Sequence, residues 1–66
     1  MELVSRVVEQ VKRVHYVVRM EGKEYRVVNY YDENDMIVDI ITSDIMGNEV
    51  SDEIHIQLMY VADNFS

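Results

Sequence analysis

ELVSRVVEQVKR, residues 2–13, is the stretch on which the fold turns. Leu3, Val4, Val7, Val8 and Val11 recur at i, i+1, i+4, i+5 and i+8, the spacing of one helical face. Glu2/Arg6 and Glu9/Arg13 are i,i+4 pairs with the acid first, the favourable order on a helix. Glu2 would stand at the positive end of the helix dipole, and Lys12 and Arg13 at the negative end. The spacing predicts an amphipathic helix over Glu2–Arg13. Its valines branch at Cβ and restrict χ1, so tertiary packing has to hold it.

At Val14 the period changes to alternation. Val14, Tyr16, Val18 and Met20 point one way, and His15, Val17 and Arg19 the other. Glu21-Gly22 reads as a tight turn into KEYRVVNYY, with Gly22 supplying a positive φ. A two-residue loop there pairs Met20 with Lys23, Arg19 with Glu24, Val18 with Tyr25 and Tyr16 with Val27. Those are favourable charged and aromatic–branched neighbours. Asp32–Asp35 form a polar turn, and Met36–Thr42 a third strand, apolar on both faces. Glu53–Val61 satisfies two templates. Ile54, Ile56, Leu58 and Tyr60 alternate as a strand, whereas Ser51-Asp52-Glu53 starts a helix that Ile54, Leu58, Val61, Ala62 and Phe65 would face inward. The strand is the reading favoured here. The expected fold is therefore α+β: an N-terminal amphipathic helix packed on a small antiparallel sheet of three or four strands, in one domain, 1–66.

Sixty-six residues bury a modest core. No cysteine is present to staple it, and hydrophobic content is 48%, so apolar surface shared with a second copy, a homodimer, is expected. The zero-cysteine composition fits a reducing cytosol. Acids interrupt the first valine-rich run, and no apolar run approaches the roughly 20 residues that cross a bilayer. Asn64-Phe65-Ser66 matches the glycosylation sequon, and without a secretion signal it is read as chance.

Charge is the strongest compositional signal. All six bases lie at or before Arg26, where four acids leave a balance of +2. After Arg26 there are nine acids and no base, and the whole chain carries -7. Such a protein is repelled by nucleic acid and by anionic lipid, so its expected partners are basic proteins, with no direct nucleic-acid or membrane binding. No catalytic constellation emerges: Ser5, Ser43 and Ser51 lack a paired histidine, and no glycine-rich phosphate loop is present. DENDMI offers oxygens at Asp32 and Asn34 but has Met36, Ile37 and Ser43 where a calcium loop needs an oxygen ligand, a glycine and a glutamate. The expectation is a non-enzymatic protein with no metal and no cofactor.

Alternate side chains on a strand lie about 6.6 Å apart, and phosphates follow each DNA strand every 3.4 Å or so. Carboxylates on strands and turns can therefore imitate a phosphate track. In this respect the chain resembles small acidic phage proteins that block host DNA-binding proteins by mimicking DNA. Its local likeness is to uracil-DNA glycosylase inhibitors, through Gly22-Lys23-Glu24-Tyr25, Gly47-Asn48 and Asp52-Glu53-Ile54. That resemblance implies a dimeric α+β protein with acids beside an apolar wedge, for which the corresponding loop here offers Ile45 and Met46. Phage proteins that occlude the nucleoid protein HU use acidic surfaces in the same way, and either target fits the charge. The expected contact set is Asp32, Glu33, Asp35, Asp39, Asp44, Glu49, Asp52 and Glu53, with Tyr30, Tyr31, Ile45 and Met46 as apolar anchors. The competing expectation is a small homo-oligomeric structural or regulatory module whose acids only give solubility. Clustering of those acids in space discriminates between the two.

Overall fold

A computed structural model describes residues 1–10 and 12–65; Val11, placed above on the expected helical face, and Ser66 of the sequon lie outside the described residues. Four strands are followed by two short helices: β1 (Glu2–Glu9), β2 (Arg13–Met20), β3 (Lys23–Tyr31), β4 (Ile37–Asp44), α1 (Asp52–Leu58) and α2 (Val61–Phe65). The strands form one antiparallel meander in the order β1-β2-β3-β4. The expected N-terminal helix is overturned. Glu2–Glu9 is a strand, and the helical layer is C-terminal.

The reason lies in the residue types of the opening stretch. Branched valines fit a pleated surface better than a helix. As a strand, this stretch also satisfies the main-chain groups on the outer side of β2, pairing Leu3 with Val18, Arg6 with Tyr16 and Val8 with Val14. The apolar stripe of the helical reading is thereby split. Leu3 and Val8 lie on the side of the sheet that carries the helices, and Val7, opposite His15, on the other. A register shift between Leu3 and Ser5 marks a bulge at Val4.

The β2–β3 hairpin has the pairing expected from its sequence, with Arg19 opposite Glu24, Val18 opposite Tyr25 and Tyr16 opposite Val27. Glu21 and Gly22 both take positive φ, 53° and 77°, which is the type I′ geometry that matches strand twist. Residues 53–61, favoured above as a strand, instead form most of α1, the turn at Met59-Tyr60 and the start of α2. Ser51 caps α1, its Oγ accepting from the Ile54 amide at 3.3 Å, and Asp52 and Glu53 occupy the first turn. The strand template fails because Ile56 and Tyr60 remain exposed, while Leu58, Val61 and Ala62 are buried. The last strand also runs to Asp44, two residues past its expected end.

The core lies between the inner faces of β2 and β3 and the helices. Tyr16, Val18, Val27, Leu58 and Val61 are essentially inaccessible. Burying each such side chain contributes about 1.5–3 kcal/mol. Asn29 is also fully buried, in line with Val14 and Ile40, and its amide has no protein partner among the described residues. The opposite face of the sheet carries no helix. Val7, His15, Val28 and Ile41 stand in one row across all four strands there.

Candidate protein-binding edge

A meander turns order in sequence into order in space. The six bases sit on β1, β2, the first half of β3 and the turn before β2. The nine acids after Arg26 sit on the β3–β4 turn, β4, the loop beyond it and the helices. The two-part charge of the sequence is therefore a lateral polarity of the sheet, with its acidic side at the β4 edge.

The candidate residues follow that edge from end to end. Asp32, Glu33 and Asp35 lie in the turn that enters β4, Asp39 in its middle, and Asp44 at its far end. Glu49 belongs to the next loop, and Asp52 and Glu53 open α1. This helix returns to β4, where His55 Nδ1 and Thr42 Oγ1 are hydrogen-bonded at 2.6 Å. The eight acids wrap one edge and both of its ends; they do not share one flat face.

Several of these carboxylates also hold the backbone. Asp32 Oδ1 accepts from the amides of Asn34 and Met36 at 2.8 and 3.0 Å, closing the β3–β4 turn. Asp44 Oδ1 accepts from Met46 and Asn48, both at 2.9 Å. These amide bonds, that from Asn48 foremost, hold the Asp44 carboxyl below its usual range, and partial desolvation opposes them. Asp35 takes φ 61° and pairs with Lys12 Nζ at 2.7 Å. Asp39 Oδ1 accepts from the Ile40 amide at 2.9 Å. Glu33, Glu49, Asp52 and Glu53 are exposed and make no ion pair among the described residues.

The apolar candidates separate. Tyr30 is half-buried on the open face opposite Asp39, with the Arg13 guanidinium 5.9 Å from its ring centre. Tyr31 packs against the core cluster and is bound into the fold. Met46 is 82% exposed and Ile45 39% exposed, beyond the end of β4. They line an open groove of about 430 Å³ with Tyr25, Glu49, Val50 and Ile54. Two features were missed in sequence. The Thr42–His55 bond depends on the helical state of residue 55. The exposure of the β1 valines was hidden by reading them as a packed helical face, although their branching already favoured a strand.

Among the described residues no three His, Cys, Asp or Glu side chains are grouped to hold a metal ion. No described helix is long and apolar enough to cross a membrane. Comparison with known protein families, characterised proteins and solved structures finds no match to this chain.

Proposed function

We propose that the chain is a non-enzymatic acidic binding protein that covers the DNA-binding surface of a basic protein and competes with DNA for it. One observation supports this reading: eight of the nine acids after Arg26 lie on β4 or the segments at its two ends, where the bases that reach them are Lys12, paired with Asp35, and Lys23, beside Asp44 in the groove. Interspersed signs are the ordinary solution for solubility, and a single-sign edge attracts opposite charge over a distance. From Ile37 to Asp44 the strand spans about 23 Å at 3.3 Å per residue, about two-thirds of one turn of duplex DNA, roughly 34 Å. Glu33, Asp39, Glu49, Asp52 and Glu53 are the foremost contacts, because Asp32 and Asp44 are engaged with their own turns. Met46 supplies an apolar anchor at one end.

The test is displacement of labelled DNA from the nucleoid protein HU and from a uracil-DNA glycosylase, read by fluorescence anisotropy at low and high salt. The chain is expected to displace DNA from one of them, with an apparent affinity that falls steeply as salt rises. Glu33→Lys/Asp39→Lys/Glu53→Lys should weaken displacement by about 100-fold or more, since charge pairs at such interfaces couple by a few kcal/mol. Glu21→Lys, in the β2–β3 turn, should change it little. Undiminished displacement by the triple variant, or displacement indifferent to salt, would refute the reading in favour of a module whose acids serve solubility.

A further inference from the structure

The sheet has two edges, and only one of them suits a second copy of the chain. β4 carries Asp39 and Asp44 and no base, and the segments at its two ends add six more acids, so joining two copies there would bring two single-sign clusters together. β1 carries Glu2, Arg6 and Glu9, and it belongs to the part of the chain with a balance of +2. It has no helix over its middle. Val7 is 56% exposed on the open face and Val8 60% exposed on the helical side. Lysine and proline, which guard many edge strands, are absent from β1; its guards are the charges of Glu2, Arg6 and Glu9 and the bulge at Val4, and they leave Val7 and Val8 uncovered. From the charge distribution and this bare apolar edge we infer that two copies of the chain associate through β1, as antiparallel strands joining two sheets of four into one of eight.

The register follows from symmetry and charge. A two-fold axis that makes neighbouring edge strands antiparallel must stand perpendicular to the sheet, so residues opposite each other lie on the same face. The bulge at Val4 leaves Ser5–Glu9 as the regular stretch. Centring on Arg6 sets Arg6 opposite its own copy, which like charge opposes. Centring on Val8 leaves only three residues of overlap within that stretch. Centring on Val7 sets Val7 on Val7, Arg6 beside Val8 and Ser5 beside Glu9, with no like charges directly opposed. Both helical layers then lie on the same side. The two acidic β4 edges are held at opposite margins, about 34 Å apart at seven strand spacings. That is several Debye lengths at physiological salt. The interface buries Val7 and Val8 over a short edge, so association belongs in the micromolar range and above. It stands whether or not the acidic edge binds a basic protein, because it is read on the chain alone.

The chain has no cysteine, so single cysteines report the geometry cleanly. Opposed residues across an antiparallel pair have Cα atoms about 4.5–5.5 Å apart, within disulfide reach. Val7→Cys should therefore form an intermolecular disulfide under mild oxidation, and Ile41→Cys and Val38→Cys should not. Sedimentation equilibrium at high micromolar concentration should give twice the 7.8 kDa chain mass. Val8→Lys should weaken dimerisation at least tenfold with the circular dichroism spectrum unchanged, since this side chain is already exposed. A monomer mass throughout would overturn the inference. So would cross-linking through Ile41→Cys or Val38→Cys in place of Val7→Cys, which would move the second copy to the open face or to β4.

Discussion

β1 and β4 are the two outer strands of one sheet, yet they are finished differently. β4 is braced: its far end runs into the turn closed by Asp44, and Thr42 bonds His55 of α1 at 2.6 Å. β1 pairs with β2 and reaches the core through Leu3, but its Val7 and Val8 are more than half exposed. β4 has two acids and no base with six more acids on the segments at its ends, whereas β1 has two acids and one base. In a meander each edge inherits the composition of one end of the strand sequence, so one chain can carry two margins with different partners.

The largest expected contrast is in stability. Leu58→Ala removes a fully buried side chain from the layer that holds the β4 side against the core. It should cost about 2–5 kcal/mol by denaturant titration. Val8→Thr, at the unbraced edge, keeps the Cβ branch and should stay within about 0.5 kcal/mol. If the two costs were similar, β1 would be packed more closely than its exposure indicates.

This contrast also explains what could be read from the sequence. The β2–β3 hairpin was legible because turn chemistry and cross-strand pairs agree locally, at Glu21-Gly22 and at Arg19/Glu24. Residues 2–9 and 52–65 were not, because each satisfies two periods and the choice is tertiary. In the first, Leu3, Val4, Val7 and Val8 match a helical stripe, but β2 offers an edge to pair with. In the second, the alternation of Ile54, Ile56, Leu58 and Tyr60 is overridden by the Ser51 cap and by an inner sheet face that needs covering. The acidic candidates were legible as a set, since the meander keeps neighbours in sequence together. The engagement of Asp32 and Asp44 with their own turns was not, because it depends on turn geometry.

The next contrast is in salt. Displacement of DNA from a basic partner by the β4 edge should weaken about tenfold or more between 50 and 200 mM salt, as several charge pairs are screened. Self-association through β1, measured by sedimentation over the same range, should change less than about threefold, because the acidic margins lie several Debye lengths apart. A dimer that tightens strongly with salt would mean that the acidic margins face each other across the interface.

A smaller effect is expected at the brace of β4. Thr42→Val deletes the hydroxyl that bonds His55 Nδ1 and keeps the branched shape. It should cost about 0.5–1.5 kcal/mol, the net worth of one hydrogen bond. Amide hydrogen exchange should localise the change, with Ile40–Ser43 exchanging faster and the β1 amides unaffected. Faster exchange in β1 as well would show that the two edges open together.

The smallest effect is a titration at the end of β4. Asp44 is held ionised by the amides of Asn48, Met46 and Gly47, so its pKa is lower folded than unfolded. A group with a depressed folded pKa contributes stability that is fully present above its unfolded value, about 3.9. That contribution is lost as pH falls through the folded value. The loss therefore begins below about pH 4 and is absent near neutrality. In Asp44→Asn the side-chain oxygen can still accept from the loop amides but no longer titrates. Its melting temperature should lie slightly below that of the parent at pH 7, and the gap should close as pH falls below about 4. A gap that stays constant down to pH 2 would mean that the charge of Asp44 does not hold the loop, and that its geometry alone closes this end of the acidic edge.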